Sequence, residues 1–286
     1  MLINAKDAIR AIQDNHGLAM DATFVLPTSD RDAKAEFIES RITGAVFFDI
    51  NAVADHILAL PHTMPDAEIF TQHMQALGLN ADQMVVLYDQ SGMLSSARAW
   101  WMLRYFGHYN VAILDGGLAA WIDVGGMTES GDETLAQKGT FQAKNPNPKA
   151  ITSLTEMSAL VALPQSDRPK QIVDARSAGR FSGTAPEPRP GLASGHMPGA
   201  LNCPVSELLD ADTGLVKSTD QIKACFIDAG VDLDKPIVTS CGSGVTACGL
   251  AFGLALIGKT DVAIYDGSWS EWGAPDADRN LCPIVT

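Results

Sequence analysis

The first 202 residues of this 286-residue chain contain no cysteine. The five cysteines all follow, at positions 203, 225, 241, 248 and 282, and an odd number confined to one half does not form a disulfide framework. Two of them lie seven residues apart, with no second Cys or His cluster to complete a metal site. Five free thiols predict a reducing compartment and therefore a cytoplasmic protein.

Clustered positive charge and long apolar runs are missing as well. The chain has 34 acidic and 20 basic residues, a formal net charge of −14, so nucleic acid is not an expected partner. No stretch approaches 18 uninterrupted apolar residues, and residues 1–17 predict an amphipathic polar helix without the basic start of a signal peptide. We expect no membrane span and no signal peptide, and no motif predicts a metal or organic cofactor.

The sequence repeats itself. Five landmarks of the first half recur in the second at offsets of 153, 155, 152, 151 and 151 residues. In that order, the pairs are Asp21 with Asp174, Gly44 with Gly199, Asp89 with Cys241, Asp115 with Asp266, and Trp121 with Trp272. Nearly constant offsets predict two copies of one fold.

Each copy alternates short β-branched runs with helical patterns. Residues 84–88 predict a buried strand, 97–106 a helix that Gly107 ends, and 111–114 another strand. The second copy repeats this order at 237–240, 245–257 and 262–265. The predicted fold class is therefore α/β, with a mainly parallel sheet and helices on both faces in each copy.

The boundary between the copies is predicted from composition. Residues 138–149 contain Gly, Asn and Pro at the density of a linker. The predicted domains are therefore 1–137 and 150–286, and the first carries Asp89 at the position of Cys241.

Cys241 directly follows a predicted strand and precedes a Gly-Ser-Gly turn and a helix. Ligands of open α/β sheets bind beyond the carboxyl ends of the strands. Two glycines let successive N–H groups point inward, and the helix N-terminus adds positive partial charge. Both features favour a thiolate, which predicts a nucleophilic cysteine.

At this point the sequence resembles the rhodanese superfamily. The segment 241–246 (CGSGVT) is similar to the active-site loop of its mercaptopyruvate-using members, and 195–200 (GHMPGA) and 265–272 (YDGSWSEW) resemble two further elements of the family. Asp174 to Arg176, with 179–181 and 186–189, extends the likeness over nearly the whole chain. The resemblance implies two tandem rhodanese-like domains, with catalysis in the second and the site at the domain interface. In the first copy, Asp89 cannot form a persulfide.

The resemblance also implies roles for individual residues. Arg180 and Arg189 match the positions that bind the substrate carboxylate, and an arginine fork suits a carboxylate. The N–H groups of the loop would stabilise the persulfide; these residues are Gly242, Ser243, Gly244, Val245 and Thr246. Thiosulfate-preferring rhodaneses carry two cations where this loop has Gly242 and Ser243, so the neutral loop favours 3-mercaptopyruvate as the sulfur donor.

Ser243 and His62 are the predicted proton-handling residues. By resemblance, His62 of the first domain would be the partner of Ser243, which would bond the substrate carbonyl or relay a proton. The chain departs from the family pattern at Asn51, where an acid would be typical. An amide there can orient an imidazole but cannot stabilise its cation, which puts a Ser–His–Asp relay in doubt.

The predicted reaction passes sulfur from a small donor through a Cys241 persulfide to a thiol such as thioredoxin, or to cyanide in an assay. Two alternatives stay open at this stage, a thiosulfate:cyanide sulfurtransferase and a non-catalytic binding module. A phosphatase of the Cys-(x)5-Arg kind is disfavoured because the sixth residue after Cys241 is Ala247.

Overall fold

A computed structural model describes residues 1–14, 16–57, 59–133, 137–144 and 146–286. The chain separates into two compact units, each with its own parallel sheet. The first unit consists of Met1–Asp55, Met64–Asn147 and Asp212–Val216. The second consists of His56–Thr63, Pro148–Ala211 and Lys217–Thr286.

The first unit alternates strands and helices along most of its length. Its strands are β1 (Leu2–Ile3), β2 (Leu18–Asp21), β3 (Arg41–Ile42), β4 (Val46–Phe47), β5 (Val85–Tyr88), β6 (Val111–Leu114) and β7 (Thr128–Glu129). Its helices are α1 (Ala5–Gln13), α2 (Ala33–Glu39), α3 (Ala67–Ala76), α4 (Ser96–Tyr105) and α5 (Gly117–Asp123).

The second unit has the same alternation. Its strands are β8 (Ile151–Thr152), β9 (Gln171–Asp174), β10 (Leu201–Asn202), β11 (Ile237–Ser240) and β12 (Val262–Tyr265). Its helices are α6 (Leu154–Ala162), α7 (Ala178–Phe181), α8 (Thr219–Asp228), α9 (Val245–Leu256) and α10 (Ser268–Trp272). Short 3₁₀ turns lie at Pro148–Ala150, Gln165–Asp167 and Val205–Leu208.

The two sheets have one topology. The strand order is β1-β6-β5-β2-β4 in the first unit and β8-β12-β11-β9-β10 in the second, and the pairs within both sheets are parallel. Each strand therefore has a counterpart at the same place in the other sheet. This confirms the duplication and the α/β fold class predicted from the sequence. The first unit adds one antiparallel pair, β3 with β7.

The main strands and helices of the structure lie close to the bounds predicted from local sequence pattern. Strands β6, β11 and β12 have the predicted bounds, helix α4 is shifted by one residue at both ends, and α9 ends one residue earlier than predicted. Gly107 and Gly258 follow these two helices with φ of +87° and +84°, the left-handed conformation that ends a helix at low cost for glycine. The predicted N-terminal helix is shorter than expected, because residues 2–3 pair with β6 as a strand.

Each unit has its own apolar core between the sheet and its helices. In the first, Ala8, Phe37, Val86 and Trp121 are buried together. In the second, the corresponding core contains Met157, Ile172, Val238, Trp269 and Trp272. The tryptophans are packing residues, as expected of large aromatic side chains. In the described part of the chain, no helix is long and apolar enough to cross a membrane.

The segment predicted as a linker follows the surface of the first unit over part of its length. The backbone N–H groups of Gly139, Phe141 and Lys144 donate to carbonyls at 75, 79 and 106, over 2.8 to 3.0 Å. Phe141 is buried. Residue 145 lies outside the described residues, and the boundaries 138 and 149 stay predictions.

Candidate active site

Cys241 lies at the carboxyl end of β11, the central strand of the second sheet. The strand ends at Ser240, which is in register with Asp174 of β9, and helix α9 begins four residues after the cysteine. The cysteine is buried, at 1% exposure. A nucleophile held there faces the edge where open parallel sheets bind their ligands.

The loop between Cys241 and α9 presents unused hydrogen-bond donors. Gly244 precedes the helix with φ +82°, a left-handed conformation that would strain other residues by about 1–2 kcal/mol. Among the residues that the structure describes, no acceptor is found for the N–H groups of Gly242, Ser243, Val245 and Thr246. Such donors at a helix N-terminus form an anion-binding loop.

Helix α10 holds the Cys241 loop in place. Ser268 Oγ accepts a hydrogen bond from the Cys241 N–H at 3.2 Å and donates to the Tyr265 carbonyl at 2.8 Å. The Trp269 N–H donates to the Cys241 carbonyl at 2.9 Å, and Ser270 donates to the Gly242 carbonyl from its N–H and its hydroxyl. Ser268 adopts φ +49°, a strained conformation for a residue other than glycine. The backbone of the loop is therefore held by hydrogen bonds with both backbone and hydroxyl groups of helix α10.

Arg180 lies directly against this loop. A Cβ added to Gly242 would lie 2.8 Å from Arg180 Nη2, so the guanidinium occupies the space of a side chain at 242. Glu187 holds Arg180 through an ion pair of 2.6 Å between Nη2 and Oε2, with a second contact from Nε at 3.2 Å. Two of the donors of Arg180 are therefore already engaged by a carboxylate.

Arg189 is placed differently. No acceptor for its guanidinium is found within the described ranges of the chain. Burial lowers the pKa of Arg189, with Cys241 and Glu187 opposing this effect and the neighbouring Arg180 adding to it. An arginine remains protonated through such a shift. Arg189 is thus a partly buried cation with its donors available, close enough to the sulfur to interact with its charge.

His62 lies beside Ser243. Its Nδ1 is 2.9 Å from Ser243 Oγ, both side chains are buried, and both residues belong to the second unit. His62 has φ +61°, a strained backbone of the kind found at functional sites. The segment 56–63 belongs to the first copy in sequence, yet it packs with the second unit. The predicted His62–Ser243 pair is present in the geometry.

The remaining cysteines differ from Cys241 in their surroundings. Burial raises the pKa of Cys203 to about 12, so this thiol stays protonated at neutral pH. Burial raises the pKa of Cys282 as well, and the Cys248 thiol donates to the Gly244 carbonyl at 3.2 Å. None of these three is followed by a glycine loop like that after Cys241.

Two stretches of the chain, residues 10–123 and 156–275, match the model of the rhodanese-like domain. These stretches contain four of the five strands of each parallel sheet and the Cys241 loop. The chain belongs to the rhodanese family. Both halves match separately, so the duplication seen in the sheet orders is a tandem of two rhodanese domains.

Known rhodanese relatives match over nearly the full length. The 3-mercaptopyruvate sulfurtransferase of Escherichia coli K12 is 45% identical over 274 residues, 96% of this chain and 94% of that protein. The human 3-mercaptopyruvate sulfurtransferase is 43% identical over 269 residues, 93% and 88% of the two chains. The crystal structure of SseA from Escherichia coli, which has the rhodanese fold, superposes with a TM-score of 0.83 at 40% identity, covering 94% and 99%.

Several residues of the rhodanese site had no role predicted from the sequence. Ser268 and Ser270 belong to the 265–272 signature, but their bonds to residues 241 and 242 join positions 27 and 28 apart. Glu187 belongs to the 186–189 element, and its contact with Arg180 depends on a turn between them. An acidic residue between two arginines was the available signal for Glu187.

Proposed function

We propose that this rhodanese is a 3-mercaptopyruvate sulfurtransferase that carries sulfur as a persulfide on Cys241. The observation that carries the proposal is the Cys241 loop, in which the N–H groups of residues 242, 243, 245 and 246 have no acceptor within the described structure and directly follow the sulfur-bearing residue. Arg189 supplies a nearby cation for the donor's carboxylate. The relatives of that name, which match over nearly the whole chain, support the same donor.

In the first half-reaction, the Cys241 thiolate attacks the sulfur of 3-mercaptopyruvate. The new S–S bond forms as the C–S bond breaks, and its electron pair passes to the carbon, giving the enolate of pyruvate. The proton of the donor's thiol completes the pyruvate methyl group, so the enzyme is left with Cys–S–S⁻. Hydrogen bonds from the N–H groups of residues 242–246 stabilise this anion, each by about 1.5–3 kcal/mol.

Ser243 and His62 act on the donor's carbonyl. The Ser243 hydroxyl donates to the carbonyl oxygen as negative charge develops there in the enolate, and His62 Nδ1, 2.9 Å away, orients that hydroxyl and exchanges its proton. Arg180 and Arg189 bind the donor's carboxylate, and Arg180, packed on Gly242, also shapes the loop. Asn51 stands where the family pattern has an acid, so that position supplies no carboxylate to the Ser–His pair.

In the second half-reaction, an acceptor thiolate attacks the outer sulfur and restores the Cys241 thiolate. A small-molecule donor and a thiol acceptor are what sulfurtransfer requires. Thioredoxin is the acceptor that we propose, because its low-pKa thiol is a good nucleophile at neutral pH. A cytoplasmic location, where such thiols are reduced, remains a prediction from the free cysteines.

The nearest alternative is a thiosulfate:cyanide sulfurtransferase, which uses the same persulfide and differs in the donor. Thiosulfate is a dianion, and the loop has neutral Gly242 and Ser243 where two cations would bind it. The ion pair with Glu187 further reduces the charge that Arg180 offers. The non-catalytic module is disfavoured by the open loop and the His62–Ser243 pair.

The test is the mass of the intact protein after brief exposure to 3-mercaptopyruvate or, separately, to thiosulfate. We expect a gain of one sulfur from mercaptopyruvate in the wild type and none in Cys241→Ser. A gain from thiosulfate alone would keep the persulfide and change the donor. No gain from either donor would contradict the proposed function and favour a binding module.

A further inference from the structure

Glu187 lies between two arginines beside the Cys241 loop. Its Oε1 accepts from Arg176 Nη1 at 2.8 Å, and its Oε2 accepts from Arg180 Nη2 at 2.6 Å. The carboxylate side chain is 2% exposed, so water contributes little to its solvation. A buried carboxylate is stable only with charged or hydrogen-bonding partners, which the two guanidiniums supply.

Arg176 does not require Glu187 for charge balance. Its Nη2 and Nε bind the Asp174 carboxylate at 2.8 and 3.0 Å, and its guanidinium lies 4.1 Å from the centre of the Trp269 ring. Asp174 and Arg176 thus form a neutral buried pair. The negative charge of Glu187 therefore mainly offsets the positive charge of Arg180, and Glu187 also interacts with Arg189.

Arg180 and Arg189 are cations beside the Cys241 loop. Arg180 packs on Gly242, the residue after Cys241, and Arg189 interacts with the charge of Cys241. Three guanidiniums and two carboxylates make up this group, so it carries one net positive charge before Cys241 ionises. One positive charge matches a donor with one carboxylate, and two would match a dianion.

We propose that Glu187 is a specificity-determining residue, which limits the site to donors with one negative charge by cancelling the charge of Arg180. This inference rests on the proposed function and deepens it by assigning the charge class of the donor. Glu187 touches no reacting atom; it acts through Arg180. Because the group is largely shielded from water, one unit of charge changes the relative affinity for a dianion far more than at an exposed position.

The test compares two donors in Glu187→Gln, which keeps the shape and one acceptor oxygen but removes the charge. We expect the ratio of kcat/KM for thiosulfate to kcat/KM for 3-mercaptopyruvate to rise roughly tenfold or more. The change should appear mainly in the KM for thiosulfate and should depend little on salt, because buried charges are screened much less than exposed ones. A merely structural role would lower both rates together and leave the ratio unchanged, which would overturn the proposal.

Glu129→Gln is the matched control. Glu129 binds the buried Arg41 of the first unit at 2.9 Å and is itself 36% exposed, so its substitution removes the same charge from an arginine pair in the other unit. Its donor ratio should equal that of the wild type. Glu187→Asp, which keeps the charge on a shorter side chain, should also stay near the wild-type ratio. A rise in Glu187→Asp equal to that in Glu187→Gln would show that geometry decides, and would contradict the proposal.

The failures of the two proposals are distinguishable. If the wild type gains no sulfur from either donor, the proposed function fails, and the role of Glu187 in donor choice fails with it. If the wild type gains sulfur from 3-mercaptopyruvate while Glu187→Gln leaves the donor ratio unchanged, only the role assigned to Glu187 is wrong.

Discussion

In the two copies of the rhodanese fold, the loop after the central strand differs in whether its backbone N–H groups have an acceptor. In the first, Asp89 fills its own loop: Oδ1 accepts from the Ser91 N–H at 3.0 Å, and Oδ2 accepts from the Ser96 N–H at 3.0 Å, where α4 begins. In the second, the N–H groups of 242, 243, 245 and 246 find no acceptor in the described structure. One loop carries its anion as a side chain, and the other is open to an anionic sulfur.

The strand ends beside these loops differ in charge. In the second copy, Asp174 binds the buried Arg176. In the first copy, the equivalent Asp21 is bonded by the N–H and hydroxyl of Thr23 and by the Gln90 amide. Burial raises the pKa of Asp21, an effect that these neutral donors only partly oppose. At this strand end the first copy therefore has neutral donors where the second has a buried arginine.

The two copies share the fold but not the side chains that carry the proposed chemistry. Both copies keep the sheet order, the loop position and the helix after it, because these make the core. The chemistry depends on a few side chains at the carboxyl edge of one sheet. Substitutions of these side chains test the difference between the two copies.

Cys241→Asp makes the second loop resemble the first. We expect the gain of sulfur from 3-mercaptopyruvate to fall to the detection limit, because the nucleophile is lost. The fold should remain, since the carboxylate can accept from the open N–H groups as Asp89 does. Intact mass and thermal unfolding measure the two effects. A persistent gain of sulfur would show that another cysteine is the carrier.

Gly242→Ala should move Arg180. The new Cβ would lie 2.8 Å from Arg180 Nη2, so the guanidinium must leave the loop. We expect kcat/KM for 3-mercaptopyruvate to fall by roughly ten- to a hundredfold, the range for one charge-assisted contact. Combining it with Arg180→Ala should add little to the effect of Arg180→Ala alone. Additive losses would show that the two residues act independently.

Ser268→Ala removes the acceptor for the Cys241 N–H and the donor to the Tyr265 carbonyl. We expect the free energy of unfolding to drop by about 1–3 kcal/mol, because both backbone groups are buried. The kcat should fall several-fold as the loop loosens. Denaturant melts and initial rates measure these effects. Ser182→Ala, whose hydroxyl is exposed, is the control and should change neither; equal losses in both variants would contradict the role of Ser268.

Asp89→Asn tests the first loop alone. The amide keeps one acceptor oxygen where the carboxylate uses two, so one of the N–H groups of 91 and 96 loses its partner. We expect the free energy of unfolding to fall by about 1–2 kcal/mol, with an unchanged rate of sulfur gain. A changed rate at unchanged stability would show that the first loop takes part in catalysis.

Much of the fold follows from local pattern. The strand ending at Ser240, the helix after Gly244 and their repeats at Tyr88 and Ser96 were predictable, because β-branched runs and glycine caps act over a few residues. Cys241 was identified as the nucleophile because strand, cysteine, glycine turn and helix follow one another directly. The pairing of His62 with Ser243 came from family likeness, since nothing in the spacing joins positions 181 apart.

The duplicated α/β architecture follows from the sequence alone, as do the predicted position of the sulfur carrier at Cys241 and its replacement by Asp89 in the first copy. These depend on periodicity and residue type, which are local properties of the chain. The tertiary structure was needed to show that Glu187 binds Arg180, while the Arg189 guanidinium has no acceptor in the described structure. It also showed that Ser268 and Ser270 bond to the backbone of the Cys241 loop and that segment 56–63 belongs to the second unit. Such contacts depend on where folding places distant side chains and which way they point, and neither is encoded in their spacing.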